Sequence, residues 1–331
     1  MATSERIGAP ETHLGDEPPG TANQVWRRFR QDRAALVAAV VILLLLLAAF
    51  AGAPIASHLL GHGPNDVNPV NAVINGQPVG PWTHVRNLYG TSTNLYVLGS
   101  DGLTGRDEFL RLLYGAQVSF EVAVFSTLIG VFVGVVLGAV SGYYGGLLDM
   151  VVSRLTEIVM VFPFVLFAIA LEATVGPRLD AYTFFGLFSP GVLTLSVIIA
   201  LFSWFYPARI IRAQVLSLRE QEFVEAARMI GASDLRIIRS HLLPHLVAPI
   251  VVWSSLIVAS NVLAEAGLSY LNVGIPTPTA SWGSMLSDAS SFYLVQPWLM
   301  VWPGAAVLIM VVAFNLLGDG LRDAFDPRGV R

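Results

Sequence analysis

The chain has 331 residues, 54% of them hydrophobic and only 13% charged, where an ordinary soluble domain carries about 25% charged residues. That balance excludes a soluble globular protein, and the mild net charge of -4 does not point to nucleic acid as a partner. Cysteine is absent and all 19 basic residues are arginine; disulfides, thiolate sites, Schiff-base chemistry and a Walker A lysine are thereby excluded, so any ATP that drives this protein is bound elsewhere.

In chain order, residues 1–25 come first, rich in Pro, Gly, Thr and Glu without periodicity, and are expected to be a disordered tail. Residues 26–331 form the membrane domain. A span needs roughly 20 mostly apolar residues to cross about 30 Å of hydrocarbon, and six stretches qualify: about 34–56, 118–143, 151–173, 190–206, 246–271 and 298–317. A cleaved signal peptide is the alternative for the first, with Arg27-Arg28 ahead of it and Ala51-Gly52-Ala53 as a small-residue site. Its length and Pro54 speak against cleavage.

The segment 57–117 between the first two spans is long for a connector, and a compact shape of its own is expected there. Within it, His58 and His62, four apart, with His84 on the same side, leave a zinc or nickel site open beside the plainer reading of surface histidines. The second span carries Gly130, Gly134, Gly138 and Gly142, a smooth face for close helix approach. It serves either a sliding, path-lining contact or a static one. Pro163 is expected to kink the third span and Pro207 to end the fourth. In the fifth, Asn261 and Glu265 share a face, where they either shape a translocation path or bond a neighbouring helix.

Arginine placement sets orientation. Arg27, Arg28, Arg30 and Arg33, then six arginines between Arg209 and Arg239, then Arg322, Arg328 and Arg331 fall on one side if both termini are cytoplasmic. The cytoplasmic segment 209–244 is the most informative. Ser217-Leu-Arg-Glu220 fits a capping box, with a helix expected to run from there to about Ile230, placing Phe223, Ala227 and Ile230 on one face. Gly231 is placed as its stop, and Ser233-Asp234 starts a second helix leading through Pro244 into span five.

Glu225-Ala226-Ala227, then Gly231, then Leu243-Pro244 resemble the EAA motif of ABC importer permeases. His241 before Leu243-Pro244 is similar to the dipeptide/oligopeptide and nickel subclass. Gly105-Arg106-Asp107 with Arg111 and Tyr114-Gly115, Gly142-Tyr-Tyr-Gly-Gly146 with Asp149, Phe162-Pro163, Ser281-Trp282-Gly283, and Phe314-Asn315 through Asp326-Pro327-Arg328 resemble the C-type permease of that family. The resemblance covers about Trp26 to Arg331. The spacing Asp101-Gly-Leu-Thr-Gly105 departs from the family by one residue, and 57–98 is less family-like.

The resemblance implies an all-α integral membrane protein with six transmembrane helices and the type I importer permease (MetI-like) fold. It implies a multi-pass subunit of the bacterial cytoplasmic membrane that imports di- or oligopeptides, with nickel or a nickel chelate as the alternative cargo. Phe223, Glu225, Ala226, Ala227, Ile230, Gly231, Leu243 and Pro244 would couple the permease to its ATPase, and Gly134, Gly138, Asn261 and Glu265 would line or pack the path. The implied partners are a second, B-type permease, two ATP-binding cassette subunits, an extracytoplasmic substrate-binding protein and lipid. No cofactor would bind this chain; ATP and Mg would sit at the ATPase subunits. The rival from another class is a secondary transporter, which would need a path of intramembrane ionisable groups and paired interrupted helices.

Overall fold

The structure is a computed structural model that describes residues 22–326 except 89, 91, 103, 180–182, 184, 185 and 187. Helix α1 (Ala22–Phe29) precedes α2 (Arg33–Leu47), whose first turn is capped by the Asp32 carboxylate accepting from the Ala34 and Ala35 amides. The helix runs on through a π-turn (Ala48–Gly52) into α3 (Ala53–Leu60) and stops at Gly61, φ +74°. Two hairpins follow. Strand β1 (Val73–Ile74) pairs with β2 (Gln77–Pro78) through Asn75-Gly76, both at positive φ, the turn that favours Asn-Gly. Strand β3 (Thr83–Arg86) pairs with β4 (Thr93–Tyr96), Thr83 opposite Tyr96. Ala72, Val79, Val85 and Tyr96 close a small core beneath them.

Helix α4 (Glu108–Tyr144) is the axis of the bundle. Its 37 residues reach about 55 Å at about 1.5 Å per residue, more than a bilayer core needs, so its first turns stand among the hairpins. Then come α5 (Gly146–Val161) and α6 (Phe164–Leu179), bent by 92° at Phe162-Pro163, and α7 (Val192–Ser203) and α8 (Phe205–Leu218), bent by 42° at Trp204. A short α9 (Glu222–Met229) and α10 (Asp234–Arg236) lead through a π-turn (Ile237–Leu242) into α11 (Leu243–Tyr270). Helix α12 (Trp282–Ala289) and the long α13 (Trp298–Phe325) complete the chain. Among the described residues four helices are long and apolar enough to cross a membrane, and six spans result if each bent pair is counted as one, the expected number. Exposed Val37, Leu44, Phe132, Leu166, Leu263 and Leu308 make the outer surface apolar, as lipid contact requires.

Among the described residues three larger apolar clusters hold the bundle. One joins α2, α4, α11, α12 and α13 around Phe120, Val262, Trp282 and Met310. A second lies between α4, α6, α7 and α11, around Val122, Leu195, Ile199 and Leu268. The third gathers the end that carries α9. The hairpins sit at the opposite end, beside the start of α4.

Several expectations are corrected. Gln24 and Val25, assigned to the tail, belong to α1, because Val25 and Phe29 pack on Leu321 and Ala324 of α13; residues 1–21 lie outside the described residues. Pro207 does not end the fourth span. It lies in the first turn of α8, where no intrahelical N–H is needed and proline is tolerated, and the helix continues to Leu218. Ser217 is therefore inside α8 and caps nothing. Val215 and Leu218, packed in the third cluster, keep that turn helical past the capping signal. The next helix begins at Glu222, with Gln221 as its N-cap.

Candidate functional site

The segment between α8 and α11 is built on the ends of three long helices. Val224 and Ala227 of α9 are buried against Ile211 and Val215 of α8, Ala139 and Tyr143 of α4, Ile237 and Leu242 of the π-turn, and Leu246 of α11. Phe223 and Ile230, expected beside Ala227 on one face, instead lie outside. Ile230 is 84% exposed, and the Phe223 ring lies beside that of His245, 5.1 Å between centroids. The buried stripe is i, i+3 and the solvent side holds Glu225, Ala226, Met229 and Ile230. Gly231 ends the element at φ +80°, a left-handed conformation that side chains resist. Leu243 is half-buried and Pro244 is exposed at the first turn of α11.

Polar contacts pin the same place. The Tyr143 hydroxyl donates to Asp234 Oδ1 at 2.8 Å, and the Arg228 guanidinium lies over the Tyr143 ring. Arg219 donates to the carbonyls of Gly142 and Tyr143, satisfying the open end of α4. Arg212 on α8 pairs with Asp149 on α5. Val224 was not singled out from sequence, and Tyr143 only as part of the Gly142–Gly146 motif; their places three and four residues from buried Ala227 and Ala139 were the available signal.

Gly130, Gly134, Gly138 and Gly142 of α4 face α7 and α8. A Cβ on Gly134 would stand 2.5 Å from the Trp204 carbonyl oxygen and one on Gly142 would stand 2.9 Å from that of Arg212. Asn261 joins three helices. It donates to Thr127 of α4 and accepts from Ser203 of α7, each at 2.9 Å. Glu265 is fully buried, accepting from Ser119 of α4 and Ser269 at 2.8 Å each.

Two cavities follow one another along α5 and α8. The first, of about 380 Å³, opens at the 92° bend and is walled by Phe162, Phe164, Phe202, Tyr206 and Trp253, with Asn261, Ser203 and Ser260 among its polar groups. The second, of about 320 Å³, lies further along the same two helices and is polar, with Ser153, Thr156, Glu157, Arg209 and Arg212 in its wall.

At the hairpin end, Asp107 caps α4 through the Leu110 amide and accepts from His62 Nε2 at 2.9 Å, while His62 Nδ1 is 3.0 Å from the Leu60 carbonyl. Burial opposes a charged His62, but the Asp107 hydrogen bond, the Leu60 carbonyl and the Asp107 charge outweigh it and raise the pKa. Burial also pushes the Tyr96 hydroxyl, whose ring stacks on His62, up to about 12. Arg106 and Arg111 pair with buried Asp101 and with Asp288, whose own pKa burial raises against the pull of the two arginines. Ser281 caps α12, and Trp282 donates from Nε1 to the Leu112 carbonyl at 3.0 Å. Among the described residues no group of three or more His, Cys, Asp or Glu could hold a metal; His62 is engaged with Asp107 rather than with His58 or His84.

The family described as "Binding-protein-dependent transport system inner membrane component" matches residues 134–330, more than half of the chain, and "N-terminal TM domain of oligopeptide transport permease C" matches residues 21–75. A Brucella suis protein described as "Putative peptide transport system permease protein" is 40% identical over 262 residues, 77% of this chain and 81% of that one. The glutathione transport system permease protein GsiD of Shigella sonnei is 36% identical over 306 residues, 92% of this chain and 90% of its own. Among solved structures, an inward-facing conformation of the MetNI methionine ABC transporter matches with a TM-score of 0.51 at 20% identity, covering 65% of this chain and 96% of the other. That likeness shows the fold alone, of the MetI-like kind.

Proposed function

The chain belongs to the family of binding-protein-dependent transport system inner membrane components, the multi-pass permeases of ATP-driven importers, and on that premise we propose that it imports short peptides into the cell. The names of its relatives support peptides, glutathione among them, over the nickel or nickel-chelate cargo that the sequence left open. A permease of this kind works with ATPase and substrate-binding subunits. The finer assignment is one C-type permease beside a B-type permease, above two ATPase subunits that carry ATP and Mg, with the binding protein on the hairpin side. Both termini and α9 then face the cytoplasm of a bacterial cell, in its inner membrane.

One observation carries the coupling role. Helix α9 is seated through Val224 and Ala227 on the ends of α4, α8 and α11 at once, while Glu225, Ala226, Met229 and Ile230 stay on the surface. A partner that holds the surface side therefore moves three spans together, because a packed core shifts between discrete arrangements rather than deforming. ATP binding closes the ATPase pair, α9 follows, and the spans open outward to receive substrate from the binding protein; hydrolysis returns them.

The test is recovery of the tagged chain from mild detergent with mass spectrometry of its companions. Two P-loop ATPases and a second EAA-bearing permease are expected. A stable chain recovered alone, transporting without ATP, would overturn the importer assignment in favour of a secondary transporter.

A further inference from the structure

The two cavities share α5 and α8 as walls, and the aromatic one is closed further by α7 and α11. Along α5 the polar cavity takes Val152 to Glu157 and the aromatic one Val159 to Phe162; along α8 the aromatic one takes Phe205 and Tyr206 and the polar one Ala208 to Ala213. They meet at Met160 and Arg209, whose Sδ and Nη1 are 3.3 Å apart.

The charges along this cleft are not balanced. Glu157 is held by Arg154 at 2.6 Å, and Arg212 is held by Asp149. Arg209 makes no ion pair among the described residues; its only acceptor there is the Met160 thioether, a weak one. It lies level with Gly138, whose Cβ would meet the Ala208 carbonyl. That is six residues (144 less 138), about 9 Å at about 1.5 Å per residue, from the end of α4 at Tyr144. Arg209 is exposed on the surface of the single chain, on the second half of the bent span α7–α8, and an ionisable side chain within a span usually faces a water-filled path or a partner helix and marks a functional place. Its planar fork matches a carboxylate.

We propose that Arg209 receives the free C-terminal carboxylate of the peptide in transit, while the aromatic cavity beside it takes an apolar side chain of that peptide. The proposal rests on the importer function above and names the chemistry its cargo must carry. The spacing agrees. Tyr206 and Arg209 are three residues apart on α8, about 4.5 Å along the axis, and one extended peptide residue spans about 3.3–3.6 Å. A carboxylate on Arg209 thus sets the side chain of the last or penultimate residue among Phe162, Phe202 and Tyr206. The cavity volume, about 380 Å³, is within the usual range of small-molecule sites, about 300–1,000 Å³.

The experiment uses the complete complex in proteoliposomes, with two peptides identical except for a free or an amidated C-terminus, both first shown to bind the binding protein. The unaltered complex should move the free peptide about tenfold faster, as the loss of one charge-assisted hydrogen bond would produce. Arg209→Gln should lower the free peptide to the amidated rate, Arg209→Lys should restore part of it, and binding-protein-stimulated ATP hydrolysis should persist in both. Equal uptake of the free peptide by Arg209→Gln, or an equal loss for both peptides, overturns the proposal and leaves the importer function standing. No ATP-dependent uptake of either peptide by the unaltered complex overturns both.

A second measurement needs no variant at Arg209. The chain has no cysteine, so Met160→Cys places its single thiol at the junction. Labelling of this subunit by a methanethiosulfonate reagent should be slowed by the free peptide and not by the amidated one. Labelling indifferent to peptide, or blocked merely by assembly with the second permease, means that lipid or a partner helix fills the cleft and sinks the proposal.

Discussion

Gly138 on α4 lies so close to α8 that a Cβ placed on it would stand 2.5 Å from the Ala208 carbonyl oxygen and 3.0 Å from Ile211 Cβ. The two backbones touch without side chains between them, so even a methyl group must push α8 away. Gly138→Ala is expected to lower stability by about 1–3 kcal/mol, the usual cost of overpacking, read as a drop in thermal unfolding temperature in detergent. Gly267→Ala on α11 is the control. Its Cβ meets nothing within 4 Å, and alanine there should be neutral or slightly stabilising. An unchanged Gly138→Ala would mean that the contact is loose.

Gly231 has no neighbour that a Cβ would strike, but its φ is +80°. Gly231→Val costs conformational strain of about 1–2 kcal/mol at one hinge and leaves the third apolar cluster intact. The protein should stay in the membrane while ATP hydrolysis loses its stimulation by the binding protein. Glu225→Lys, on the exposed side of α9, should do the same without changing thermal stability. Normal transport by either variant would remove α9 from the coupling role.

Glu265 accepts hydrogen bonds from Ser119 and Ser269 inside the bundle and is fully buried. Glu265→Ala strands both hydroxyls and opens a void between α4 and α11, with an expected loss of about 2–4 kcal/mol. Glu265→Gln keeps an acceptor and the volume and should lose under half as much. Equal losses in unfolding experiments would show that the charge, and not the hydrogen bonds, holds the two helices.

His62 contributes a pH dependence at the hairpin end. Its folded pKa is raised above the ordinary 6.5 by Asp107 and Leu60, against the opposing effect of burial. The linked stabilisation is therefore complete below about pH 6.5 and is lost as pH rises through the folded value. The unfolding temperature should fall by a few degrees over that rise, and His62→Gln should flatten the change. A stabilisation that grows with pH would contradict the imidazolium–Asp107 pair.

Composition and apolar length determined the membrane class and the expected six spans, because a bilayer core forces about 20 apolar residues per crossing whatever the fold. Local chemistry that depends on one backbone angle was legible too: Gly231 as a stop, Pro163 as a break. The Asn75-Gly76 turn was equally open to reading and was missed. The tertiary structure decided the rest. Ser217 carried a capping signal, but burial of Val215 and Leu218 against α4 kept α8 running to Leu218. In α9 the alternatives differed only in which stripe faced inward, and it was Ile237, Leu242 and Tyr143 that chose Val224 with Ala227 over Phe223 with Ile230. Arg209 reads in sequence like its neighbours Arg212 and Arg219. Only the packing of α5 and α4 on α8 gave Asp149 to Arg212 and the α4 carbonyls to Arg219, and left Arg209 beside a thioether. Charge pairing between helices is a long-range choice, and no pattern along one helix encodes it.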